Sequence, residues 1–129
     1  METRSGPESG VVRHAILIVE DEALVRLDAA DFLRQGGYRV QEVANASDAM
    51  ESLQSEFIVD LLFTDINLGK GLNGIELALW ALAKLPRLKV LVTTGGTLKD
   101  LLPEVLGKIL TKPYSASDLL MRVKHALAA

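Results

Sequence analysis

Five residues in this chain have the types and placement to do chemistry together: Glu20, Asp21, Asp65, Thr93 and Lys112. Each sits at the end of an apolar run. Asp65 closes Val59-Asp60-Leu61-Leu62-Phe63-Thr64-Asp65. Glu20 and Asp21 follow Ala15-Ile16-Leu17-Ile18-Val19. Thr93 lies near the end of Lys89-Val90-Leu91-Val92-Thr93-Thr94, and Lys112 follows Lys108-Ile109-Leu110-Thr111. Short apolar runs of this kind read as strands buried on both faces. In an open parallel sheet, ligands bind beyond the carboxyl ends of the strands. Three carboxylates, a hydroxyl and an ammonium are therefore expected to converge on one sheet edge.

Two unit charges about 4 Å apart repel by roughly 4 kcal/mol at an effective dielectric near 20, and a bound cation removes that penalty. Oxygen ligands without Cys or His suit Mg2+, with Mn2+ as the alternative, rather than zinc. Beside such an ion Asp65 is placed to act as a nucleophile toward phosphorus, giving an acyl phosphate. Lys112 would hold one phosphoryl oxygen as a point charge, and Thr93 would donate a hydrogen bond to another. Taken singly, each residue has an ordinary explanation. An Asp after a strand is commonly a turn residue, a Thr in a strand reflects β-propensity, and a Lys before Pro is a solvated loop lysine. An acidic run before a helix is favoured by the helix dipole, which accounts for Glu22 better than for Glu20 and Asp21. Joint placement at four strand exits is what favours the chemical explanation.

The elements that must position these residues follow from periodicity. Ala23 to Gln35 carries Val25, Ala29, Phe32 and Leu33 at helical spacing and ends at Gly36-Gly37. Tyr38 to Val43 alternates apolar and polar residues, as an edge strand does. Asn45 with Asp48 caps a helix whose buried stripe is Ala46, Ala49, Met50 and Leu53. After Asp65 comes a loop with Gly69-Lys70-Gly71. Asn73 with Glu76 then caps a helix from Gly74 to Leu85 that is apolar nearly all round. The stretch from Thr97 to Leu106 is leucine-rich but interrupted by Pro103, so a short or irregular helix is expected there. Ser115 and Asp118 form a capping box for a final helix with Leu119, Leu120, Val123, Ala126 and Leu127 on one side. Strand and helix alternate five times, which implies an α/β fold with a parallel sheet covered by helices on both faces.

The chain has 129 residues, a net charge of −3, no cysteine and 49% apolar residues. That fits one domain with a proper core and excludes disulfide and thiol chemistry. Residues 1–13 read as a flexible tail and 14–129 as the domain. No basic cluster points to nucleic acid, and neither a membrane-length apolar run nor a signal peptide is visible, so a cytoplasmic protein is expected. His14 and His125 read as surface residues. Leu79, Trp80 and Ala83, with Leu98, Leu101 and Leu102, are expected to provide a homodimer or partner interface.

The four stretches Ile16-Leu17-Ile18-Val19-Glu20-Asp21-Glu22, Leu62-Phe63-Thr64-Asp65, Val92-Thr93-Thr94-Gly95 and Leu110-Thr111-Lys112-Pro113 together resemble the receiver domain of two-component response regulators. The resemblance covers about residues 14 to 128. It implies a flavodoxin-like fold with strand order 2-1-3-4-5. It implies that Asp65 accepts phosphate from a sensor histidine kinase. Asp21 and Asp65 would bind Mg2+ directly, Glu20 through water, and Asn67 by its backbone carbonyl. Thr93 and Lys112 would contact the phosphoryl group, and a cis Lys112–Pro113 peptide is permitted. Onward transfer to a histidine phosphotransfer protein is a further expectation. Three departures stand out. Ile109 occupies a position that is often aromatic in the family. The stretch between Thr93 and Lys112 is short. Gly69-Lys70-Gly71 replaces a common Met-Pro turn.

Three functions compete on these residues. The first is a phosphorylation switch or relay, as a stand-alone receiver or one excised from a hybrid histidine kinase. It would catalyse only its own phosphorylation and dephosphorylation. The second is a pseudo-receiver that binds partners without being phosphorylated; the intact set of five residues counts against it. The third is a phosphohydrolase with an aspartyl intermediate. Such enzymes usually place a second Asp two residues after the nucleophile, where this chain has Asn67.

Overall fold

The computed structural model describes residues 13–95 and 108–129. Its elements are β1 (Ala15–Val19), α1 (Ala23–Gln35), β2 (Arg39–Val43), α2 (Ala46–Gln54), β3 (Leu61–Asp65), α3 (Gly74–Lys84), β4 (Lys89–Thr94), β5 (Ile109–Thr111) and a C-terminal helix (Ala116–Ala128). All strand pairs are parallel and the order is β2-β1-β3-β4-β5, as expected for a flavodoxin-like sheet. Residues 1–12, most of the expected tail, and Thr97 to Leu106, expected to form a short or irregular helix, lie outside the described residues.

Strand alternation divides the core in two. Leu17, Val19, Leu62, Val90 and Val92 pack with Ala46, Ala49 and Leu53 of α2 and Leu77, Ala78 and Ala81 of α3. Ile16, Ile18, Leu61, Phe63, Leu91 and Leu110 pack with Ala29, Ala30 and Leu33 of α1 and Leu119 and Val123 of the C-terminal helix. Successive residues of a strand face opposite sides, so continuous apolar runs are what a sheet covered on both faces requires. The half-polar β2 is an edge strand, and its burial is correspondingly partial.

Local signals set the helix starts. Asn45 accepts from Asp48 N at 2.7 Å. Asn73–Glu76 and Ser115–Asp118 each form a reciprocal capping box. Of the C-terminal helix stripe, Leu119 and Val123 are buried, whereas Leu120, Ala126 and Leu127 are half-buried. His14 and His125 are exposed, as expected.

Several boundaries differ from expectation. β3 begins at Leu61 rather than Val59: Asp60 still bonds through its main chain to Ala15 O at 2.8 Å and Lys89 N at 3.1 Å, but its carboxylate accepts from Ala15 N at 2.7 Å. β2 begins at Arg39 and β5 at Ile109, each one residue late. α3 ends at Lys84, with Leu85 as its C-cap. α1 starts at Ala23, so none of the three acids lies in its first turn, and Glu22 is an N-cap without a side-chain cap bond. α3 is less naked than its composition implied. Leu79 and Trp80 are half-buried, Lys84 Nζ lies 5.8 Å from the Trp80 ring centre, and only the small Ala83 is exposed among the three residues assigned to an interface. The others, Leu98, Leu101 and Leu102, lie outside the described residues.

Gly74 begins α3 against the end of β3. A Cβ there would overlap the Asp65 carbonyl oxygen and come within 2.8 Å of the Asp65 carbonyl carbon and 2.9 Å of Ile66 Cα. All three are backbone atoms, which cannot rotate aside. Helix propensity alone favours alanine over glycine by up to about 1 kcal/mol. Overpacking against backbone typically costs about 1–3 kcal/mol and outweighs it. Gly74→Ala is therefore expected to lower unfolding stability by about 1–2 kcal/mol in urea denaturation. An unchanged or higher midpoint would show that the β3–α3 junction is looser than described.

Candidate functional site

Parity places the site. Continuing the alternation past the strand ends, Glu20, Asp65, Thr93 and Lys112 fall in step with Ile18, Phe63, Leu91 and Leu110 on the α1 side of the sheet. The ladder supports this beyond the regular strands: Glu20 N donates to Val43 O at 3.1 Å and Lys112 N to Thr94 O at 2.8 Å. Asp65 and Thr93 are direct register partners between β3 and β4. Since β1 and β3 are neighbours, Glu20 and Asp65 emerge side by side.

Glu20, Asp21 and Asp65 each offer a carboxylate oxygen, and these oxygens lie within 4.8 Å of one another. Glu20 and Asp65 are buried and Asp21 is exposed at the rim. Lys112 reaches in from the end of β5, with Nζ 3.1 Å from Asp65 Oδ2 and 3.3 Å from Glu20 Oε1. Burial raises the Glu20 carboxyl above its ordinary range and the charge of Asp65 adds to this, while the Glu22 amide and Lys112 pull it back. Burial acts to lower Lys112, but the hydrogen bond and charge of Asp65, with the charge of Glu20, outweigh it and hold the ammonium above its ordinary value. Both shifts reflect carboxylates crowded together at a partly dry edge with the Lys112 ammonium between Glu20 and Asp65.

The surroundings aim the acids. Glu20 Oε2 accepts from Glu22 N at 3.1 Å, which ties it to the start of α1. Asp65 Oδ1 accepts from Asn67 N at 3.3 Å, so the contact found for Asn67 is through its amide. Ile66 N donates to Thr93 O and Gly74 N to Ile66 O, which folds the β3–α3 loop back over the sheet edge. Gly69 has φ +77°, and its missing Cβ would lie 3.8 Å from Asp21 Oδ2, so the loop passes close to the third carboxylate. The cis Lys112–Pro113 peptide follows the lysine.

The Thr93 hydroxyl has an unmet need among the described residues. Thr93 is 2% exposed, and its Oγ1 has no hydrogen-bond partner among the described residues. A buried hydroxyl is normally bonded. Placed in register with Asp65, it is free to donate to a group held on that carboxylate. Hard oxygen donors of net negative charge fit Mg2+ or Mn2+, which take carboxylate and carbonyl oxygens.

All five sequence-selected residues meet at one end of the sheet. Others were missed. Arg26 donates from Nη1 to the Glu20 carbonyl at 2.7 Å, and its only sequence signal is its place one turn past the acids. Tyr114 packs edge-on to Phe63, with ring centres 6.1 Å apart at 68°. Burial raises its phenol above the ordinary range, opposed by Lys112 and reinforced by Glu20, Asp65 and Asp28. Ile109, which stands where the family often has an aromatic, is buried in β5.

Comparison with known proteins agrees with this fold. The family model described as "Response regulator receiver domain" matches residues 16–124. The transcriptional regulatory protein PdtaR of Mycobacterium tuberculosis is 31% identical over 123 residues, covering 91% of this chain and 58% of that protein. The chain thus spans little more than half the length of that relative. A response regulator receiver domain protein (CheY-like) from Methanospirillum hungatei is 27% identical, with TM-score 0.82 over 91% of this chain and 95% of its own. A response regulator receiver protein from Sinorhizobium medicae is also 27% identical, with TM-score 0.81 over 91% and 96%.

If the Thr93 hydroxyl serves a ligand rather than the fold, removing it should not weaken the free protein. Thr93→Val is nearly isosteric and deletes an unpaired buried polar group, a change expected to leave unfolding stability unchanged or raise it by up to about 1 kcal/mol. A clear loss of stability in urea denaturation would reveal a structural partner for that oxygen.

Proposed function

The chain belongs to the response regulator receiver family, and from that premise we propose that it accepts a phosphoryl group on Asp65 from a sensor histidine kinase and so acts as a switch or relay in two-component signalling. Receivers of this family serve in signalling, are phosphorylated by histidine kinases and typically bind Mg2+ at an acidic pocket. The observation that carries the assignment to this chain is the meeting of Glu20, Asp21 and Asp65 within 4.8 Å, with Lys112 bridging two of them.

In the proposed transfer one Asp65 oxygen attacks phosphorus. An O–P bond forms as the P–N bond of a phosphohistidine breaks, and the imidazole leaves with the electron pair. Lys112 shifts from the carboxylates to a phosphoryl oxygen, which keeps its charge paired. Thr93 donates its free hydroxyl to another. Mg2+ held by Asp21 and Asp65, by Glu20 through water and by the Asn67 carbonyl would supply positive charge against the phosphoryl oxygens. Asp65 is buried enough for these contacts to act at reduced dielectric, while Asp21 beside it is exposed.

The activity is confined to the protein's own phosphorylation and dephosphorylation. Asn67 stands where a hydrolase would place a second carboxylate, so turnover of external esters lacks a dedicated acid–base. We assign residues 14–129 to the receiver domain and the protein to the cytoplasm; among the described residues, no helix is long and apolar enough to cross a membrane. A histidine phosphotransfer protein is the proposed onward acceptor, and a second copy of the chain a proposed partner.

With acetyl phosphate and Mg2+, intact-mass spectrometry is expected to show one added phosphoryl group, absent in Asp65→Asn and absent when Mg2+ is chelated. Transfer that persists in Asp65→Asn would place the acceptor elsewhere. Asp21→Asn removes a ligand charge and is expected to weaken Mg2+ binding by about tenfold or more in calorimetric titration, because affinity in oxygen-ligand sites follows ligand charge.

A further inference from the structure

We propose that Arg26 is a positioning residue for the metal-binding acids, holding the peptide between Glu20 and Asp21 in the geometry a divalent cation needs; this rests on the role assigned to that site above. Arg26 lies one turn into α1. Its Nη1 donates to the Glu20 carbonyl oxygen at 2.7 Å, short as charge-assisted bonds are. Its Nε lies 3.7 Å from Glu42 Oε1. Glu42 is anchored in turn: Arg34 Nη1 is 3.0 Å from its Oε2, and Arg34 Nη2 donates to Val40 O at 3.1 Å. Glu42 belongs to β2, in register with Ile18 of β1. The guanidinium therefore ties the exit of β1 to the edge strand and to α1 at once.

The tie acts where the site most needs it. The Glu20 amide and carboxylate are held by Val43 O and Glu22 N, and Arg26 holds the carbonyl that leads directly into Asp21. Asp21 is exposed and sits beside two other carboxylates, so repulsion works to swing it away. A fixed peptide keeps it in range. The ion pair with Glu42 is the longer contact, 3.7 Å between half-buried side chains. What distinguishes Arg26 is that its shortest bond ends on the main chain of the site.

Two effects of Arg26 on the cation oppose each other. Its positive charge disfavours a second cation nearby, and its hydrogen bond favours the ligand geometry. Truncating the side chain would mix them. Arg26→Lys separates them, because lysine keeps the charge but lacks the planar fork that reaches the Glu20 carbonyl and Glu42 together. Arg26→Lys is expected to weaken Mg2+ binding by about tenfold in calorimetric titration, the usual scale for groups that orient metal ligands. The urea midpoint should stay at the wild-type value, and phosphorylation by acetyl phosphate should regain the wild-type rate at saturating Mg2+. Unchanged or tighter Mg2+ binding overturns the proposal, and so does an affinity loss that merely tracks a loss of stability. Wild-type protein is measured first. If it neither binds Mg2+ nor gains a phosphoryl group, the assignment of the site falls and the role of Arg26 with it; if wild type succeeds and Arg26→Lys matches it, only the role of Arg26 falls.

Discussion

Like charges held close together govern this molecule. Carboxylate oxygens of Glu20, Asp21 and Asp65 lie within 4.8 Å of one another, and two of the three residues are buried. At an effective dielectric near 20, each such pair costs roughly 3–4 kcal/mol before compensation. Native domains are stable by only about 5–15 kcal/mol, so a cluster like this persists only where the rest of the fold holds it in place. Lys112 supplies part of the compensation, at 3.1 Å from Asp65 and 3.3 Å from Glu20. The remaining negative charge is what the proposed Mg2+ would offset.

The scaffold meets this constraint with rigid parts. β1 and β3 are adjacent and buried on both faces, so the acids at their ends cannot move apart without disturbing the core. The β3–α3 loop is pinned by Ile66 and Gly74, and the absence of a side chain at Gly74 lets α3 begin against the Asp65 carbonyl. Lys112 comes from a three-residue strand whose register against β4 brings its ammonium across to β3. The Thr93 hydroxyl, buried without a partner among the described residues, is a small local cost beside Asp65 that the proposed phosphoryl contact would relieve.

Departures from the family pattern leave Glu20, Asp21, Asp65 and Lys112 together and change their surroundings. Ile109 is a core residue of β5 and offers no aromatic ring to the surface. The aromatic nearest Lys112 in sequence is instead Tyr114, half-buried against Phe63 two residues before Asp65. Gly69 and Gly71 both take positive φ, which only a glycine-rich loop accommodates readily, and this explains how Gly69-Lys70-Gly71 can replace a Met-Pro turn.

Apolar runs and caps were legible from residue order because they are local. Periodicity marks a strand covered on both faces, and Asn73 with Glu76 or Ser115 with Asp118 marks a helix start, whatever the rest of the chain does. The four motifs likewise implied the strand order through family resemblance, and they picked out residues that the fold brings to one sheet edge. Tertiary structure alone decided that Lys112 reaches Asp65 across 47 residues of chain, that the Asp60 carboxylate takes the Ala15 amide, that Arg26 grips the Glu20 carbonyl, and that the Thr93 hydroxyl has no partner among the described residues. Each of these depends on which strand lies beside which and in what register. A pairwise contact between distant residues leaves no periodic trace in the sequence, so it exists only once the sheet is assembled.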